Sequence, residues 1–245
     1  HPDHDTVYLA DQAHVPYGRR SLAEVREFGE RITRFLLAQG AEVIVVACNT
    51  ASAAALYPLR ATFPQVPFVG MEPAVKPAAE NTATGVVGVI ATQATFQGEL
   101  FASLLQRFAH DVDVLTEICP GLVEMIEAGE LDTPGTVSLL RDCLQPLLAA
   151  GIDQLVLGCT HYPFVRPTIE RIVGPGVEVI DPAPAVARQV GRVVRRHGIE
   201  AATGRHTFYT SGDPEVFTAM LERLTRRQAD VRLLSWRGGS LEVAP

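Results

Sequence analysis

Two short peptides set a thiol among small polar residues: Ala47-Cys48-Asn49-Thr50-Ala51 and Gly158-Cys159-Thr160-His161-Tyr162-Pro163. Each follows a short apolar run, residues 43–47 and 155–157, of the kind that forms a buried strand. Each ends in residues suited to capping a following helix. A thiol at the carboxyl end of a buried parallel strand lies where open α/β sheets place their ligands. A thiolate serves as a base when its pKa lies near the working pH, and a helix N-terminus lowers it. Two such groups facing one carbon from opposite sides are what a cofactor-independent racemase needs. One takes the proton from one face while the other, protonated, delivers one to the opposite face, and the roles exchange in reverse.

The neighbours suit the same task. Asn49, Thr50 and Thr160 offer amide and hydroxyl groups beside backbone N–H donors, an arrangement for substrate carboxylates. His161, two residues beyond Cys159, could receive or relay its proton. A cysteine in one such turn is more often a small buried hydrophobe; the pairing of two turns carries the functional reading. Cys119 and Cys143 lack this context and are expected to be packing residues.

The elements that must position these turns read as alternating strands and helices. Residues 6–10 form a strand, and a loop over 11–20 contains Pro16-Tyr17-Gly18. Ser21 and Glu24 make a capping box that opens a helix to about residue 39. A strand at 42–47, a helix at 51–62 and a strand at 67–70 follow. Beyond the proline-bracketed segment 72–77 the series resumes: strand 86–91, helix 95–108, strand 112–116, helices 121–129 and 136–149, strand 154–157, helix 163–173, strand 177–180. Asp181 is an N-cap for a helix to about 197; after a strand at 207–210, Ser211 or Asp213 caps a last long helix. This pattern predicts an α/β fold of two lobes, each a mostly parallel sheet flanked by helices. The lobes are residues 1–72 plus 183–245, and 73–182, with the site in the cleft between them.

Composition bounds the chemistry. The chain has 245 residues, 47% of them hydrophobic, enough for one long or two small cores. No apolar run approaches the roughly 18 residues of a membrane helix, so no membrane partner is expected. A formal net charge of -7 argues against a nucleic-acid groove, which needs a clustered basic surface. Lys76 is the only lysine and sits between prolines, more like a helix start than the Schiff-base anchor of a pyridoxal-phosphate enzyme. No C-x-x-C pair, G-x-G-x-x-G or Walker loop is present. Cys159 and His161 lie too close along one turn for a usual tetrahedral ligand set. Neither metal nor cofactor is therefore expected. A disulfide framework is not expected either, and the setting expected is a reduced cytoplasm.

The two cysteine peptides resemble the signature turns of the glutamate racemases, in the aspartate/glutamate racemase superfamily. Agreement extends over nearly the whole chain: Tyr8-Leu9-Ala10-Asp11, Val15-Pro16-Tyr17-Gly18, Val89-Ile90-Ala91-Thr92, Cys119-Pro120 and Phe208-Tyr209-Thr210-Ser211-Gly212-Asp213. His161 favours glutamate, since aspartate racemases usually carry an acidic residue after the equivalent Cys-Thr. The resemblance implies interconversion of L- and D-glutamate, supplying D-glutamate for peptidoglycan. It implies Cys48 and Cys159 as the acid/base pair, with Tyr17, Gly18, Asn49, Thr50, Thr160 and His161 binding substrate. It further implies Thr92 near the substrate, Glu127 assisting, and a homodimer. One departure stands out. The family carries an Asp-Ser-Gly-x-Gly-Gly turn after its first strand, and nothing before Tyr8 matches it, so the chain as given is expected to be impaired. The alternatives are an aspartate or related amino-acid racemase, a thiol hydrolase using Cys159 with His161, and a two-lobed binding protein. The hydrolase leaves Cys48 idle.

Overall fold

In the computed structural model, which describes residues 2–244, strands and helices alternate along the chain. The sequence reading that begins at His1 lies outside the described residues at that position. β1 (Thr6–Ala10) leads through two 3-10 turns, Gln12–His14 and Tyr17–Arg19, into α1 (Leu22–Ala38). The Ser21–Glu24 capping box forms in full, each side chain meeting the other residue's backbone N–H. Then come β2 (Ile44–Val46), α2 (Asn49–Thr62), β3 (Phe68–Gly70) and α3 (Val75–Asn81). A middle series runs β4 (Val86–Ala91), α4 (Gln93–Gln97), α5 (Glu99–Phe108), β5 (Asp113–Ile118), α6 (Leu122–Glu127), α7 (Pro134–Ala149), β6 (Gln154–Gly158), α8 (Arg166–Val173) and β7 (Glu178–Ile180). The chain closes with α9 (Ala183–Arg196), β8 (His206–Thr210), α10 (Pro214–Thr225), β9 (Val231–Arg237) and β10 (Ser240–Val243).

The middle series forms a four-stranded parallel sheet in the order β5-β4-β6-β7. β6 is buried throughout, as a parallel strand covered by helices on both faces should be. Alternation sorts its side chains. Leu155 and Leu157 join Ile90, Leu122, Leu140, Leu144 and Ile169 on one face. Val156 joins Val87, Val89, Phe101 and Leu104 on the other, as the period of two requires.

The remaining strands divide between two sheets, β1-β8-β9-β10 and β2-β3. Helix α1 covers both, with Leu36 packed against the cores of each. β1 pairs only with β8 and β2 only with β3, and these edge strands carry the exposed side chains of Tyr8 and Val45.

Several expectations need correcting. The helix read over 95–108 is two, broken where Gly98 takes an extended conformation; a Cβ on Gly98 would lie 2.6 Å from that of Ala53 in α2. The last long helix is not the end of the fold, because the β9–β10 hairpin follows it. Cys119 and Cys143 are disulfide-bonded rather than merely packed, with Cα atoms 5.6 Å apart. The α/β register brings the end of β5 beside α7 and so aligns two cysteines 24 residues apart in sequence. Asp213, not Ser211, caps α10, accepting from the Glu215 and Val216 N–H groups. Asp181 accepts from the Ala183 N–H at 2.8 Å. No helix among the described residues is long and apolar enough to cross a membrane.

Candidate active site

The sheet register places the site. Ala91 pairs with Gly158 at the carboxyl ends of β4 and β6, so Thr92 and Cys159, the next residue on each strand, leave the sheet side by side. Gly158 is required by this approach, since a Cβ there would lie 2.7 Å from the Ala91 Cβ and 2.9 Å from the Ile90 carbonyl oxygen. Gly158→Ala is expected to cost about 1–3 kcal/mol by overpacking and to displace Cys159. Urea unfolding together with turnover measures both effects.

Cys48 arrives from the other side, at the N-terminus of α2. Its backbone is extended and its sulfur accepts from the Ala51 N–H at 3.4 Å, which makes it a helix cap. Burial pushes the Cys48 thiol up to about 11; the Ala51 N–H works against this, and the charge of Cys159 adds to it. A threonine cluster joins the Cys48 turn to the turn after β4, the strand beside β6. Thr50 Oγ1 lies 2.8 Å from Thr92 Oγ1 and 3.2 Å from Thr95 Oγ1, and Thr92 and Thr95 are 3.0 Å apart. Asn49 is 2% exposed, and neither its amide oxygen nor its amide nitrogen has a hydrogen-bond partner. Leaving such groups unpaired costs about 1–3 kcal/mol each, and this amide stands next to Cys48 at the start of α2.

The Cys159 turn differs from its counterpart. β6 runs into a 3-10 turn, Tyr162–Val165, and α8 begins only at Arg166. Thr160 therefore does not cap a helix over Cys159 as the sequence suggests; Pro163 in the 3-10 turn, and Pro167 in the first turn of α8, hold the helix start back. A charged relay stands there instead. His161 Nδ1 is 3.9 Å from Cys159 Sγ, and His161 Nε2 is 2.7 Å from Glu127 Oε1 at the end of α6. Burial lowers the His161 pKa, but hydrogen bonds to Cys159 and Glu127, and their charges, outweigh it and raise the pKa to about 10. Glu127 is held below the usual carboxylate range, chiefly by the hydrogen bond from His161.

The sign of the linked stability follows. A raised His161 pKa stabilises the fold fully below the unfolded value near 6.5, and that contribution disappears as pH rises through about 10. Wild type is expected to lose its stability advantage over His161→Asn across that window, as read by unfolding midpoints at stepped pH. An unchanged difference above pH 10 would contradict the assignment.

The Tyr17 turn closes the assembly. Tyr17 packs with Cys48 against Val25, Ala51 and Ala54, and its hydroxyl donates to Asp11 Oδ2 at 2.6 Å. Burial, followed by the charge of Asp11, drives the Tyr17 pKa upward, so the phenol stays a neutral donor. Gly18 presses on Thr92; a Cβ there would lie 2.8 Å from the Thr92 Cβ. Arg19 pairs with Glu124 of α6. Tyr17, Gly18, Asn49, Thr50 and Thr92 thus gather with the two thiols, while Thr160, His161 and Glu127 complete the Cys159 side. Asp11 was missed as a site residue, although its position six residues before Tyr17 on a short loop was a usable signal. A surface depression of about 500 Å³ lined by Cys119, Pro120, Ser138 and Cys143 lies beside the disulfide, and none of the site residues is in its wall. Among the described residues no cluster of three or more His, Cys, Asp or Glu is placed to hold a metal.

The profile of the Asp/Glu/Hydantoin racemase family matches residues 1–190. A glutamate racemase from Ectopseudomonas mendocina is 50% identical over 234 residues, spanning 95% of this chain and 89% of that protein. The crystal structure of glutamate racemase isoform RacE1 from Bacillus anthracis superposes with a TM-score of 0.85 at 32% identity, covering 95% of this chain and 88% of that one. The Escherichia coli glutamate racemase, solved in complex with L-glutamate, superposes with a TM-score of 0.80 at 29% identity over 94% of this chain and 88% of that one. The chain belongs to the Asp/Glu/hydantoin racemase family.

Proposed function

We propose that this protein interconverts L- and D-glutamate without a cofactor, using Cys48 and Cys159 as the acid/base pair. What supports the reading is a pair of free thiols, one just after β2 and one just after β6, with the Cys159 charge among the causes that raise the Cys48 thiol, and a Thr50–Thr92 hydrogen bond that ties the Cys48 turn to the end of β4, the strand beside β6. The likeness to glutamate racemases makes glutamate the substrate. An α-proton between two sulfurs leaves toward one while the other supplies its replacement from the opposite side, and the intermediate carbanion is planar. Asn49, with its unpartnered amide, and Thr50 bind a substrate carboxylate at the start of α2. Tyr17 and Gly18 close over it, and Thr160, His161 and Thr92 line the other side.

The two sides start from different charge states. Cys48, raised by burial, waits as a thiol. Cys159 faces His161, whose pKa is raised to about 10 by its hydrogen bonds to Cys159 and Glu127, so that side contains a proton store and a cation. A hydrolase reading gives Cys48 no task and is not favoured. On this account the enzyme works in the cytoplasm on a small-molecule substrate, its product serves peptidoglycan synthesis, and the family likeness implies a homodimer.

The test is polarimetric. Starting from either enantiomer of glutamate, rotation should decay to zero, because enantiomers have equal free energy and the equilibrium ratio is one. Rotation that persists with glutamate but decays with aspartate would overturn the substrate assignment.

A further inference from the structure

We propose that Asp11 and Trp236 are positioning residues for substrate binding. Through the Asp11 carboxylate, the carboxyl-terminal hairpin sets the place of the Tyr17–Gly18 turn. The proposal rests on the racemase reading for what that turn binds. Asp11 lies just past β1 and is 7% exposed. Its Oδ2 accepts from the Tyr17 hydroxyl at 2.6 Å, and His14 Nδ1 lies 2.8 Å from the same oxygen. Its Oδ1 accepts from Ser211 Oγ at 2.7 Å and from Trp236 Nε1 at 2.9 Å. Four partners thus fill the lone-pair sites of one buried carboxylate. They come from three separate stretches of chain: the loop after β1, the turn after β8, and strand β9.

The surroundings hold this arrangement in one geometry. His14 stacks on Phe28 with ring centroids 3.9 Å apart and meets the edge of Trp236 at 4.8 Å, and Phe28 meets Trp236 at 5.7 Å. The indole therefore has both a packing role and a hydrogen-bonding role, and the two can be separated. From Asp11 the connection continues to the site. Tyr17 packs beside Cys48, Gly18 abuts Thr92, and Thr92 bonds Thr50. A networked carboxylate that loses one donor leaves its other partners less firmly held. Movement of the hairpin is thereby felt as a displaced phenol and a displaced Gly18 at the substrate.

Trp236→Phe keeps a ring against Phe28 and His14 while removing the N–H donor and part of the indole's bulk. The expected result is a KM for glutamate raised about three- to tenfold, the effect of one hydrogen bond, with kcat within about twofold, the split for lost binding rather than lost chemistry. A second readout needs no turnover. The chain has a single tryptophan, so its indole N–H gives one resonance, and Tyr17→Phe should displace it through the shared carboxylate. Should Trp236→Phe fail to fold, Ser211→Ala removes a different donor to the same oxygen and is expected to give the same split. Unchanged KM in a folded variant, or an indole resonance indifferent to Tyr17→Phe, would overturn the proposal. If wild type leaves glutamate unchanged, the racemase reading falls, whereas the resonance still decides whether Asp11 couples Trp236 to Tyr17.

Discussion

Cys48→Ser and Cys159→Ser are each expected to lower racemisation by about 10³-fold or more, the scale of removing an essential proton carrier. The defects in proton removal should be one-sided. With one sulfur replaced by a hydroxyl, the enantiomer whose α-proton faces the surviving thiol still presents it to a working base, and its α-proton exchanges with solvent. The opposite enantiomer faces the serine and exchanges far more slowly. The two variants should therefore be mirror images in an exchange assay while both are nearly dead as racemases. Neither substitution should unfold the protein. A serine at position 48 retains a cap for the Ala51 N–H. Equal losses of exchange with both enantiomers in each variant would count against two opposed bases.

The second large effect belongs to His161. His161→Asn should reduce kcat by about 10²-fold, because the imidazolium is the proton store beside Cys159, bridging that sulfur and Glu127. Glu127→Gln should cost less, about tenfold or under, since it removes the charge that keeps His161 protonated but leaves an acceptor in the same place. The pair should also differ in pH dependence. Without Glu127 the histidine loses a partner that raises its pKa toward about 10, so activity in Glu127→Gln should fall off at a lower alkaline pH than in wild type. Initial rates across alkaline buffers would show this. Equal kcat in His161→Asn and wild type would remove His161 from the mechanism.

Much of this was legible in the chain, for local reasons. Continuous apolar runs at β4 and β6 announce a parallel sheet, and β1 spans the residues 6–10 read as a strand. The capping box at Ser21 is written in four residues. The cysteine turns could be located because a strand end followed by small polar residues is a local pattern. What local pattern could not show was the difference between the two turns. Cys48 caps a helix, whereas the prolines after Cys159 delay α8 and leave His161 and Glu127 to furnish charge. The Glu127–His161 bond joins residues 34 apart, and the Asp11–Trp236 bond joins residues 225 apart; such pairings are set by tertiary packing. The disulfide was missed for the same reason, since neither cysteine carries a neighbour that identifies its partner. The β9–β10 hairpin was legible but unread. Gly238-Gly239 between two alternating segments is a strong two-residue turn signal, and both glycines have positive φ.

Central to the account is that two groups on opposite sides of one carbon share the proton transfer. Initial-rate racemisation of each enantiomer in heavy water, with isotope content read separately in product and in recovered substrate, tests this most directly. The expected result is deuterium at Cα of nearly every product molecule and almost none in unreacted substrate, because the removed proton and the delivered deuteron reside on different sulfurs. Deuterium entering recovered substrate as fast as product would show a single base serving both faces, and would contradict the account.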